Sequence, residues 1–182
     1  MVAAVQSQDV ILGMLMKASL SGYEIKQHFE TLFPHFYNAS FGTIYPTLNR
    51  MERDGLLTKQ SLAQVGKPNK NIYTITEKGR QAFYRYLESD VQETEVKSDF
   101  MLRLFFGEWA DRERTIRWLE VGIARHERTL AKLYADREQW AAKLSPTQRV
   151  CLNIGIANTE GVLKQLREGL DELMSGGERG IR

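Results

Sequence analysis

The chain has 182 residues, 42% hydrophobic and 26% charged, enough apolar material for one ordinary folded domain or two small ones. No apolar run approaches the roughly 18 residues that span a bilayer, and the N-terminus lacks the basic start of a secretory signal, so a cytoplasmic protein is expected. A single cysteine, Cys151, excludes an internal disulfide framework, and three scattered histidines supply no metal-ligand spacing. The net charge of +2 hides an asymmetry: residues 17–85 carry ten Lys and Arg against five Asp and Glu, whereas residues 91–182 carry fifteen of each. A basic excess in one half is the sign expected for a polyanion partner.

Val10, Ile11, Leu12, Met14 and Leu15 predict a short apolar helix ended by Ala18-Ser19. Ser21 and Glu24 then form a capping box, with Leu20 and Ile25 at the staple positions, opening a second helix that runs to Pro34. Tyr23 stands at the start of that helix, where unpaired amides attract a phosphate; it serves equally well as a core aromatic. A loop through Phe36 and Asn38 leads to Ser40 and a third helix starting near Thr43. Pro46 fits its first turn, and Gly55 stops it.

Two faces are expected on this third helix. Ile44, Leu48 and Met51 recur at helical spacing as a buried stripe, while Thr43, Thr47 and Arg50 form a polar face able to reach phosphates or base edges. Tyr45 lies between the two, its ring for the core and its hydroxyl for a phosphate. A plain amphipathic helix with a surface Arg50–Glu52 or Arg50–Asp54 pair is the competing reading. Residues 56–62 and 71–75 are β-prone, and the turn-rich segment 64–70 between them would carry Lys67 and Lys70 at a hairpin tip, on DNA or merely in solvent. Thr76 caps a fourth helix that fades near Asp90.

In the second half, positions 116, 119, 123, 126, 130, 133, 137, 140 and 144 make a heptad-like seam interrupted by His126 and Arg137. Ser145-Pro146-Thr147-Gln148 is another capping box, opening a helix with Leu152, Ile156, Leu163, Leu166, Leu170 and Leu173 on one stripe. Two such stripes predict a partner chain; packing with a helix over 97–107 is the alternative. Trp109, Trp118 and Trp140 are expected to pack, and Cys151 to be a buried thiol. No glycine-rich phosphate loop, metal cluster or activated nucleophile argues for an enzyme, and no cofactor is expected.

The segments Leu-Ser-Gly-Tyr-Glu-Ile (20–25), Gly-Thr-Ile-Tyr-Pro-Thr-Leu (42–48), Glu-Arg-Asp-Gly-Leu (52–56) and Tyr-Thr-Ile-Thr-Glu-Lys-Gly (73–79) together resemble the PadR family of transcriptional regulators. The stretch 97–106 is similar to the start of the all-helical C-terminal domain in the longer members related to phenolic-acid-responsive repressors. The expected fold is mainly α: a winged helix-turn-helix with a β-hairpin wing over 1–90, a helical dimerisation and effector domain over 91–176, and a frayed tail over 177–182. The resemblance implies a homodimer on double-stranded operator DNA, a repressor released by a small molecule such as a phenolic acid, with activation as a variant. Candidate DNA contacts are Tyr23, Ser40, Thr43, Tyr45, Pro46, Thr47, Arg50, Lys67 and Lys70; candidate effector contacts are Phe105, Phe106, Trp109 and His126. A winged helix that binds a protein and not DNA is the alternative from another class.

Overall fold

The computed structural model describes residues 7–32, 41–64, 67–92, 97–140 and 142–175. The chain divides into two compact units, residues 1–94 and 95–182.

The first unit contains α1 (Ser7–Leu15), β1 (Leu20–Ser21), α2 (Gly22–Leu32), a 3-10 turn (Phe41–Thr43), α3 (Ile44–Arg53), β2 (Leu57–Gln64), β3 (Lys67–Ile75) and α4 (Glu77–Glu88). The strands form an antiparallel sheet in the order β1-β3-β2, with Leu57 opposite Ile75 and Leu20 opposite Tyr73. The Ser21–Glu24 box forms as expected: the Glu24 amide donates to the Ser21 hydroxyl at 3.2 Å, and the Ser21 amide donates to the Glu24 carboxylate at 2.7 Å. One contiguous core runs through Ile11, Leu12, Leu15, Ile25, Phe29, Ile44, Leu48, Met51, Leu57, Tyr73 and Ile75. Its closure has a backbone requirement at Gly79, where a Cβ would stand 2.1 Å from the Leu56 carbonyl oxygen. Only a residue without a side chain lets α4 approach the end of α3 this closely.

The wing differs from its sequence reading. Residues 64–70 are not one turn, because β2 continues to Gln64 and β3 begins at Lys67, with an irregularity in register between Leu62 and Gln64. Lys67 pairs with Gln64 at the tip end of the hairpin, as expected, whereas Lys70 lies three residues along β3, opposite Leu62, and not at the tip. Alternation over Lys67–Ile75 keeps Tyr73 and Ile75 inward, and that pairing outweighs the local turn preference of Pro68 and Asn69.

The second unit comprises α5 (Asp99–Phe105), a 3-10 turn (Gly107–Trp109), α6 (Arg112–Trp140) and α7 (Pro146–Ser175). The expected Ser145 box opens α7, with Gln148 N donating to Ser145 Oγ at 3.3 Å and Ser145 N donating to Gln148 Oε1 at 2.9 Å. The helices α6 and α7 form an antiparallel hairpin: Arg112 binds the Leu173 and Met174 carbonyls, Arg167 pairs with Glu127 at 2.7 Å, and the Tyr134 hydroxyl donates to Glu160. The α6 seam is thus partly consumed within the chain, Leu119 and Leu133 being buried beside Ile156, Leu163 and Leu166 of the α7 stripe. Phe100 of α5 packs on α6, where a Cβ at Gly122 would stand 2.7 Å from its ring. The alternative of packing with the 97–107 segment is to that extent realised.

Two local expectations fail here. Cys151 is exposed, because α7 turns its 152–156–163 stripe inward and residue 151 away from it. Trp109 is 84% exposed and so is no packing residue within this chain. The expected tail at 177–182 lies outside the described residues.

Candidate nucleic-acid interface

The helix α3 is built to present one face. Its start at Ile44 leaves Thr43 as N-cap, and Pro46 occupies the first turn, where its missing amide costs nothing. Its end is a Schellman arrangement: the Leu56 amide donates to Met51 O at 2.9 Å, the Gly55 amide donates to Glu52 O at 3.0 Å, and Gly55 adopts φ 69°. Lys78 Nζ adds a bond to the Asp54 carbonyl at 2.8 Å. Ile44, Leu48 and Met51 are at most 1% exposed, so the helix cannot roll without opening the core.

The outward arc consists of Tyr45, Pro46, Asn49, Arg50 and Arg53, all exposed, with Thr43 exposed at its start. Thr47 departs from expectation. It is buried, because its Cα lies three residues past Ile44 and four before Met51, inside the apolar stripe. Asn49 and Arg53 were missed in the sequence reading; they lie four and eight residues beyond Tyr45, and that spacing from an outward residue was the available signal. Asn and Arg are side chains suited to adenine and guanine edges. Arg50 makes no pair with Glu52, whose carboxylate instead holds Lys59 at 2.9 Å and raises the pKa of that ammonium.

Tyr23 is 70% exposed at the first turn of α2 and is not a core aromatic. Tyr45 is half-exposed, and its ring lies against Gly22. The buried aromatic of this region is Tyr73, whose hydroxyl pKa is pushed up by desolvation. Lys70 is occupied: its ammonium stands 3.5 Å from the Glu24 carboxylate. Glu24 titrates below its ordinary value, chiefly because it accepts from the Ser21 hydroxyl and then the Ser21 amide, with Lys70 a lesser contributor against opposing desolvation. The basic excess is therefore partly internal, with Lys59, Lys70 and Lys78 all holding groups of the fold while Arg50 and Arg53 stay outward. Ser40 and the Lys67 side chain lie outside the described residues.

In the second unit an open hollow of about 620 Å³ is lined by Leu102, Arg103, Phe106, Trp109, Arg114 and Trp118, among others. Arg103 pairs with Asp99 at 2.7 Å and lies over Trp118 at 5.8 Å. Trp109 and Phe106 are thus brought together, whereas Phe105 and His126 are not among the lining residues. Phe105 is 78% exposed and meets Phe106 edge-on at 5.1 Å. His126 lies within hydrogen-bond distance of Gly122 O, 2.8 Å from its Nδ1. Among the described residues no group of His, Cys, Asp and Glu could hold a metal, and no helix is long and apolar enough to cross a membrane.

Comparison with known proteins is consistent along the chain. Residues 11–85 match the transcriptional regulator PadR-like family, and residues 96–174 match the virulence activator alpha C-terminal family. Over 138 residues the chain is 30% identical to the negative transcriptional regulator PadR of Bacillus subtilis, covering 75% of each protein. Its structure is similar to that of smu.1604c from Streptococcus mutans, with TM-score 0.88 and 40% identity over 92% of this chain and 99% of that one. It is also similar to Bacillus subtilis PadR in complex with operator DNA, with TM-score 0.78 and 26% identity over 91% of this chain and 98% of that one.

Proposed function

The chain belongs to the PadR-like family of transcriptional regulators, and from that premise we propose that it is a homodimeric repressor released from its operator by a small molecule. It is a DNA-binding regulator and not an enzyme. The observation that carries the proposal is the outward arc of α3, with Tyr45, Asn49, Arg50 and Arg53 exposed above a core that holds the helix in one orientation. Residues 1–90 place that arc in a major groove, with Tyr23 and Thr43 at the neighbouring backbone. Residues 91–176 join two copies and hold the arcs on the order of 34 Å apart, one turn of DNA.

The effector is a phenolic acid or another aromatic compound. Support comes from family membership and from Bacillus subtilis PadR, known in a crystal with p-coumaric acid. Release requires only that the effector bind the DNA-incompetent arrangement better than the competent one.

The deciding experiment measures binding to the DNA just upstream of the protein's own gene, against unrelated DNA and across salt. Competition-resistant binding to a two-fold symmetric site is expected. Binding no better than to unrelated DNA, followed by a genome-wide selection that enriches no site, would sink the proposal. Activation is the second reading, supported by the match of residues 96–174 to the virulence activator family. Deleting the gene separates the two: target transcripts rise for a repressor and fall for an activator.

A further inference from the structure

We propose that Gly22 is a positioning residue for DNA binding, the floor on which the Tyr45 ring lies and which sets where its hydroxyl stands. The inference rests on reading α3 as the DNA-contacting element. Gly22 is the first residue of α2 and is buried, and its φ lies outside the left-handed region, which among the described residues is occupied by Gly55 alone. Backbone freedom is therefore not what a glycine supplies here, and in a helix glycine costs up to about 1 kcal/mol relative to alanine. What it supplies is room. A Cβ at residue 22 would stand 2.7 Å from Cε1 of Tyr45 and 3.4 Å from both Cζ and the hydroxyl oxygen. The colliding atoms belong to the ring, so relief requires the whole Tyr45 side chain to turn and carries its hydroxyl with it.

On its inner side the half-exposed ring has no room to retreat. Ile44, Leu48 and Met51 fill the inner face of α3, so an added methyl pushes Tyr45 outward. Its hydroxyl now stands over the first turn of α2, where the helix dipole is positive although the Glu24 amide is already capped by Ser21 Oγ at 3.2 Å. A DNA phosphate approaching that turn meets the hydroxyl as a donor. Two other glycines, Gly13 and Gly122, seat Phe83 and Phe100 in the same manner, but those rings carry no polar tip. Gly22 is set apart by seating a half-exposed aromatic with a hydrogen-bond donor.

The test is a double-mutant cycle on the full-length protein, reading affinity for a duplex from upstream of its own gene and for an unrelated duplex of equal length. Gly22→Ala and Tyr45→Phe should each weaken binding to both duplexes by roughly three- to tenfold, the size of one hydrogen bond. The salt slope should be unchanged, because a neutral hydroxyl releases no counterion. In a Tyr45→Ala background, Gly22→Ala should have no further effect on affinity. The double variant also relieves the clash, so its thermal midpoint should be no lower than that of Gly22→Ala. An equal loss from Gly22→Ala with and without the ring would overturn the inference, as would wild-type affinity in Gly22→Ala or in Tyr45→Phe. Failure of the wild-type protein to prefer any DNA is a separate result that removes the regulator reading itself.

Discussion

The two units of this chain bury their apolar residues to very different degrees. In the first, eight large side chains from the described parts of α1, α2, α3 and β2 are at most 2% exposed and form one cluster: Ile11, Leu12, Leu15, Ile25, Ile44, Leu48, Met51 and Leu57. In the second, Leu133 alone among the described residues reaches that level, while Met101, Leu102, Phe105, Phe106 and Trp109 are each more than half exposed. A monomeric fold rarely leaves five large apolar side chains open within nine residues. The described part of the first unit encloses its own core; the second has the apolar inventory of a structure finished by another surface, in keeping with the proposed dimer.

The sharpest way to break this contrast is to damage each unit and follow them separately. All three tryptophans, at 109, 118 and 140, lie in the second unit, so their fluorescence follows that unit alone. Leu48→Ala should cost about 2–5 kcal/mol of first-unit stability through the cavity it leaves. The loss should appear in urea unfolding followed by far-ultraviolet circular dichroism and leave the tryptophan transition in place. A tryptophan transition that shifts equally would show that the units unfold as one. Next in size, Phe105→Ser with Trp109→Ser should lower the tryptophan midpoint and remove its rise with protein concentration, the mark of stability gained by association. Sedimentation should then show monomer at micromolar concentration. A wild-type midpoint that is already independent of concentration would refute the dimer assignment for this surface.

A smaller effect belongs to the DNA face. Arg50→Ala should weaken operator binding by about 1–3 kcal/mol and relax sequence preference if the guanidinium reads a base. Asn49→Ala should behave alike, since both stand on the outward arc. Equal loss on operator and unrelated DNA would reassign Arg50 to a phosphate.

Legibility followed the same division between local and distant causes. The capping boxes at Ser21 and Ser145, the stop at Gly55 and the stripe Ile44–Leu48–Met51 are set within a few residues, and all formed as expected. Thr47 was assigned to the wrong face because helical spacing alone did not show how wide the buried stripe is. The wing was misdrawn because pairing with β2 overrode the turn preference of Pro68 and Asn69. The sequence places Lys70 at the hairpin tip, on DNA or in solvent, but its approach to Glu24 depends on β3 passing the start of α2, a contact between residues 46 positions apart. Burial in the second unit was least legible of all. A heptad pattern says that a seam exists, not whether it closes on the same chain or on another.

That Glu24–Lys70 link yields the smallest prediction and one with a sign that can be checked. Glu24 titrates below its ordinary 4.5 in the folded protein, mainly through the Ser21 hydroxyl and amide. A depressed carboxyl stabilises the fold fully above its unfolded value and loses that contribution as pH falls through the folded one. Glu24→Gln keeps an acceptor for Ser21 and removes the charge, so at pH 7 it should cost less than about 1 kcal/mol, as befits a half-exposed site. The gap between variant and wild type should close as pH drops below 4.5 and Glu24 itself becomes neutral. Ser21→Ala should cost more than Lys70→Ala, because the hydroxyl is the larger cause of the shift and the Lys70 pair, with both side chains 41% exposed, is screened by water. A Glu24→Gln deficit of the same size at pH 3 and pH 7 would assign the contribution to shape and not to charge. The link between wing and helix would then be one of packing alone.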